Sequence, residues 1–218
     1  RLSRGSTADY AVVLLGPTLL MWIAGAQVWT PMDSPDSEYH LSLGWFGQSL
    51  ADRVADVSYT WTRLGVVLPL RVLSDGLGQT AGWTAFRWVL ITIAVAPVYL
   101  AIRRCLGRPA ALATLPIIAL NGVLLRVLGN PYPTATVACM LAGLTGCLVL
   151  AGNTGGLRAA GWGAAAGALG GWALMAHPFG GILALAGLGA GLAGIVVRVR
   201  AAAAPMACAM VVAWTTTA

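Results

Sequence analysis

Residues 159–197 read AAGWGAAAGALGGWALMAHPFGGILALAGLGAGLAGIVV, with no charged residue from Ala159 to Val197. A helix crosses the hydrocarbon core of a bilayer in about 20 apolar residues, so this run is too long for one span. Proline in a helix interior removes a hydrogen bond and clashes with the preceding turn. His177-Pro178 therefore divides the run into two helices, about Ala159 to Ala176 and Phe179 to Val197. Gly163, Gly167 and Gly171 repeat every fourth residue in the first, as do Gly187 and Gly191 in the second. That spacing lets helix backbones approach closely, and these glycines read as packing seams.

Apolar stretches of similar length lie on the N-terminal side. One runs from Tyr10 to Trp29 behind Arg1 and Arg4, and another from Thr80 to Ile102, closed by Arg103, Arg104 and Arg108. Ala110 to Leu125 follows. The turn of Arg126 and Gly129-Asn130-Pro131-Tyr132-Pro133 then leads to a fourth stretch ending near Ala151, and Ala201 begins a last one. The expected fold is all-α, a polytopic transmembrane helix bundle of about seven spans, forming a single transmembrane domain over residues 1–218. Composition agrees: 58% of residues are hydrophobic and 9% charged, against about 25% charged in an ordinary soluble domain.

The first stretch resembles a secretory signal, with Ala24-Gly25-Ala26 as a small-residue cleavage site. Its apolar run exceeds the usual core of about 7 to 15 residues, which favours a retained helix. The chain opens on Arg1 and closes with Thr215, Thr216, Thr217 and Ala218 inside an apolar stretch, so the expectation is a piece truncated at its C-terminus. All 13 basic residues are arginine, amid abundant alanine and glycine. This suggests a GC-rich bacterial genome and a place in a bacterial plasma membrane.

The net charge of +6 is spread along the chain and forms no basic block, which speaks against a nucleic-acid partner. Topology accounts for it better. Eight arginines (1, 4, 103, 104, 108, 158, 198 and 200) flank one side of the expected bundle, and five (53, 63, 71, 87 and 126) flank the other. Cytoplasmic flanks carry the excess, so the N-terminus is expected inside and the segment of about residues 30–79 outside. The four cysteines show no C-x-x-C spacing, and neither a disulfide framework nor a zinc site is indicated.

Within that external loop lie all the acids except Asp9. Ser34, Pro35, Asp36 and Glu38 read as a helix start, with serine as N-cap, proline at the first helical position and acids in the first turn. Leu41, Trp45 and Leu50 recur at roughly helical spacing, which predicts a short helix on the membrane surface. A second helical stretch, Tyr59 to Leu73, carries Arg63 and Arg71 eight residues apart and so on nearly one face.

Asp33, Asp36 and Glu38, with His40, suit a divalent cation such as magnesium or manganese through hard oxygen ligands, or a general base. In the plainer reading Asp36 and Glu38 complement a helix dipole and stay solvated. Arg63, Arg71, Arg87 and Arg126 share the outer side, where arginine suits bidentate phosphate recognition or snorkels to the head groups. His177, Asn130 and Tyr132 sit at outer turns, where each either contacts a substrate or serves its turn; His177 also suits proton relay. Trp29, Trp45, Trp61, Trp83 and Trp88 fit an interfacial belt. No Walker A, G-x-S-x-G, H-E-x-x-H or dinucleotide fingerprint occurs.

The layout of one span, a long external loop opening on Asp33-Ser34-Pro35-Asp36-Ser37-Glu38-Tyr39, and then many spans on short loops resembles the GT-C superfamily of polyprenyl-phosphate-sugar-dependent glycosyltransferases. That superfamily includes the protein O-mannosyltransferases and bacterial aminoarabinose transferases. Tyr59-Thr60-Trp61-Thr62-Arg63-Leu64-Gly65 sits where related loops lead into the next helix. The likeness covers the whole chain in layout and about a dozen residues in motif. It implies transfer of a sugar from a polyprenyl-phosphate donor to an acceptor on the extracytoplasmic face. Asp36 would be the catalytic acid, with Glu38 and Asp33 next, Asp36 and Glu38 the metal ligands, and Arg63 a phosphate contact. Ser37 separates Asp36 from Glu38, whereas the family often has adjacent acids. The alternatives are a transporter or flippase segment, which should carry ionisable groups at mid-membrane, and a non-catalytic membrane assembly protein.

Overall fold

The computed structural model describes residues 63–119 and 133–198, together with Asp9, Ala11, Val12, Val13, Leu15, Gly16 and Leu19. The described residues contain no strand, and their helices are α1 (Leu64–Leu77), α2 (Gln79–Leu106), α3 (Arg108–Ala119), α4 (Pro133–Gly152), α5 (Gly156–Ala176) and α6 (Pro178–Arg198). Asp9, Ala11 to Val13 and the described residues up to Leu19 are also helical, where the first span is expected to begin. The surface helix expected after Ser34 and the last stretch from Ala201 lie outside the described residues.

Two of the described helices, not about seven, are long and apolar enough to cross a membrane: α2 and α4. At 1.5 Å per residue they measure about 42 and 30 Å, against a hydrocarbon core of about 30 Å. Glycine and alanine fill α5 in place of large aliphatic side chains. The described residues of α3 number 12, and among the described residues the apolar stretch counted for α6 is Pro178–Gly191.

Single residues make three of the corners. Gly78 (φ 85°, ψ 161°) joins α1 to α2, and Gly107 (φ 90°, ψ 174°) joins α2 to α3. A side chain is strained at these angles, and glycine takes them freely. His177, in extended backbone, joins α5 to α6, at the break that His177-Pro178 predicts.

The packing registers follow from where the backbones come closest. A Cβ on Gly143 would stand 2.6 Å from the Ile93 carbonyl oxygen, and one on Gly146 would stand 2.5 Å from the Pro97 carbonyl carbon. Positions rise together along both helices, so α2 and α4 are parallel. Gly180, Gly187 and Gly191 of α6 face Val137, Leu144 and Leu148 of α4, which makes α6 parallel to α4 as well. The α5 helix returns between them, with Leu169 against Gly143. This is the alternating course that short connections require. The expected glycine seam of α6 does pack on α4, and Gly163, Gly167 and Gly171 of α5 are buried. A further close seam, Gly143 and Gly146, lies on α4.

Pro97 lies inside α2 and lacks the N–H that would reach the Ile93 carbonyl. That carbonyl is the one facing Gly143, where a Cβ would stand 2.6 Å from its oxygen.

The α1 helix is the expected Tyr59–Leu73 stretch, shifted to Leu64–Leu77. Ser74, Asp75 and Gly76 have turn-forming side chains yet stay helical. Arg71 pairs with Asp75 across one turn at 3.7 Å, and Ser74 is buried against Gly82 of α2. At its other end, Gly65 meets the backbone of Ala176 in α5. By the registers above, Ala176 stands about level with residue 86 of α2, so between Gly65 and Ser74 the helix covers about 13.5 Å of its own length but only about 6 Å along the bundle. It therefore lies obliquely across one end, burying Val66, Val67 and Leu70 beneath it. The core under it includes Trp83, Phe86, Leu90, Val95, Met140 and Leu144.

Gly146→Val should force α2 and α4 apart and cost about 1–3 kcal/mol, the usual range for overpacking. Gly161→Ala, at a position open to space, should be neutral or better. Thermal unfolding of the two variants in detergent, side by side, checks this.

Candidate functional site at the α1 end of the bundle

Where α1 crosses α5, three polar side chains meet apolar ones. Arg63 precedes the first residue of α1, and its carbonyl accepts the N–H groups of Val66 and Val67 at 2.9 and 3.1 Å. Its residue is only 3% exposed. The Trp172 indole Nε1–H donates to the Gly65 carbonyl at 2.6 Å, so α5 holds this first turn of α1 in place. Arg87 of α2 is likewise 3% exposed, and its guanidinium lies 5.7 Å from the centroid of the Trp83 ring. That is the reach of a cation–π contact, formed across one helical turn. Phe86 flanks Trp83 at 6.1 Å.

His177 follows Ala176 at the same corner. The Phe179 backbone N–H donates to its Nδ1 at 3.1 Å, and its ring stacks on Phe179 at 5.6 Å and 23°. Partial burial, and then the positive charge of Arg63 nearby, hold its pKa below the ordinary histidine value.

Of the residues the sequence singles out, Arg63 and His177 are thus brought to one corner. Arg71 is not. Eight residues of helix would align it with Arg63, but Arg63 sits outside the regular helix at φ −94°, ψ 42°, while the Arg71 side chain is 44% exposed and paired with Asp75. Asp33, Asp36, Glu38, His40, Asn130 and Tyr132 lie outside the described residues. Among the described residues no three His, Cys, Asp or Glu side chains gather as a metal site would require.

Arg87, grouped by sequence with the interfacial arginines, is instead buried. The Trp83–Arg87 spacing of four is the signal that marks it.

A second polar cluster occupies the far end, about 24 Å along α2 at 1.5 Å per residue from Arg87 to Arg103. Asp9 is 2% exposed. It accepts a hydrogen bond from the Tyr99 hydroxyl at 3.0 Å and ion pairs with Arg103 at 2.8 Å and Arg108 at 3.8 Å. Arg104 donates to the Asn153 carbonyl at 2.9 Å, which ties the turn after α2 to the turn after α4. Sequence reading assigned these arginines to topology alone. The lone acid in a basic flank, Asp9, was the available signal for the pairing.

Comparison with known proteins yields no family model, no curated protein and no solved structure that matches the chain. What the two clusters do has to come from their own chemistry.

Two outcomes test this geometry. Asp9→Asn should destabilise the fold by about 1–3 kcal/mol, below the 3–5 typical of a fully buried pair, because Arg103 and Arg108 retain 22% and 50% side-chain exposure. A double-mutant cycle with Arg103→Gln should return a coupling of about 1 kcal/mol or more. For His177, a folded-state pKa below the unfolded one means that protonation opposes folding. Its contribution is neutral above the unfolded value of about 6.5 and becomes unfavourable as pH falls below it. Wild-type protein should therefore lose more thermal stability between pH 7.5 and 5 than His177→Asn does.

Proposed function

We propose that the chain is membrane-embedded and transfers a sugar from a polyprenyl-phosphate donor to an acceptor at the extracytoplasmic face, with the α1 end of the bundle as the reacting end. The observation that carries this reading is the burial of two arginines, Arg63 and Arg87, at that end. Guanidinium groups suit bidentate recognition of phosphate oxygens, and a departing lipid phosphate offers them. The membrane setting is supported by α2 and α4, both long and apolar enough to cross a bilayer. Arginines at the far end, namely Arg103, Arg104, Arg108 and Arg158, favour a cytoplasmic placement for it.

The chemistry follows from that arrangement. Asp36, with Glu38 and Asp33 beside it in sequence, takes the proton of an acceptor hydroxyl. The oxygen forms a bond to the sugar C1 as the bond from C1 to the phosphate oxygen breaks, and the electron pair leaves with the lipid phosphate. Configuration at C1 inverts. Arg63 and Arg87 stabilise the charge that grows on the phosphate, in surroundings where a preformed cation is worth more than in water.

Membranes containing the protein or its Asp36→Asn variant, incubated with radiolabelled polyprenyl-phosphate sugars, test the reading. Transfer should fall at least about a hundredfold in the variant, the usual contribution of a general base, with insertion unchanged. Equal transfer by both would remove Asp36 from the chemistry. Absence of transfer across a broad panel of donors and acceptors would favour transport or assembly.

A further inference from the structure

Resting on the donor class argued above, we propose that His177 is a fixed hydrogen-bond donor to the phosphate of the lipid, acting beside Arg63, and is not a base in the reaction. The direction of one hydrogen bond decides between the two roles. The Phe179 N–H donates to His177 Nδ1 at 3.1 Å, and a ring nitrogen that accepts a hydrogen bond carries no proton. The neutral ring then bears its single proton on Nε2. Stacking against Phe179 fixes the plane in which that N–H points. A ring in this tautomer offers a donor at its far nitrogen and has no lone pair there with which to take a proton from an acceptor hydroxyl.

Position supplies the second part. Ala176, directly before His177, touches the backbone of Gly65, two residues after Arg63. Partial burial, and then the charge of Arg63, which is close enough to act on the imidazole, lower its pKa. A permanent cation and an oriented N–H at one corner match the oxygens of a phosphate group. Free phosphate and a phospholipid head group offer the same chemistry, so the probes have to separate the sources.

Asparagine at this position keeps an oxygen that accepts the Phe179 N–H, as N-cap residues do, but lacks the far nitrogen. Affinity for undecaprenyl phosphate, measured on the full protein in detergent, should be about tenfold or more weaker in His177→Asn than in wild type, the effect expected for a hydrogen bond to a charged group. Undecaprenol should bind both forms alike. Inorganic phosphate and phosphatidylglycerol are run in parallel, and a loss confined to undecaprenyl phosphate identifies the polyprenyl lipid as the source. The same loss toward inorganic phosphate or phosphatidylglycerol keeps the contact and changes its source. Nitrogen-15 spectra of histidine-labelled protein, assigned with the same variant, should show the Nε2–H tautomer. A resonance for Nδ1–H, or equal binding of every phosphate probe by the two proteins, overturns the role of His177 and leaves the transferase reading standing. Failure of wild type to bind any phosphate probe removes the donor class together with this role.

Discussion

The arrangement depends on one close approach, that of α2 and α4 at Gly143 and Gly146. Two hydrogens replace a side chain at each position, and the facing surface is main chain, the Ile93 carbonyl and the Pro97 peptide. Lipid is as apolar as a leucine side chain, so helices within a bilayer gain little from burying leucine against leucine and much from dispersion at short range. Proline and glycine are complementary here. Pro97 leaves a carbonyl without its helical donor, and the glycine opposite leaves room beside it that a side chain would fill. Once α4 is parallel to α2, α5 and α6 can only follow in alternating sense, because the corners between them have no slack.

Those short corners transmit position from one helix to the next. Gly78, Gly107 and His177 each join two helices as a single residue, so the tilt of α1 follows from the start of α2. Arg63 is held at the far end of α1 by the Trp172 bond to Gly65. Its backbone is therefore placed by α1 and α5 together.

The helices were largely legible in the sequence because their ends coincide with glycine, proline and charge. His177-Pro178 gave the break between α5 and α6, and the arginines at 103 and 104 marked the end of α2. The extent of α1 was not legible. Ser74, Asp75 and Gly76 favour a turn, and the Arg71–Asp75 pair together with the packing of Ser74 on Gly82 accompanies their staying in helix. Alignment of Arg63 with Arg71 failed for a related reason, since a periodic argument presumes regular angles and Arg63 lies one residue outside them. Among the described residues two helices rather than about seven are long and apolar enough to span, and α5 shows why absence of charge is a weak signal, since alanine and glycine fill it in place of large aliphatic groups. Of the site, Arg63 and His177 could be nominated from their positions at turns. The burial of Arg87 and the pairing of Asp9 with residues some ninety positions later depend on packing that no local pattern encodes.

That last pairing bears on how the chain is made. Asp9 leaves the ribosome long before Arg103 and Arg108 exist, yet in the finished molecule its carboxylate is shut away from water against both. A carboxylate shut away from water without its cationic partners is costly, so the segment that carries Asp9 takes its buried seat only once α2 is complete and the start of α3 has emerged. The acid is made before its partners and sealed after them, and Asp9 sets the order in which this end of the bundle closes.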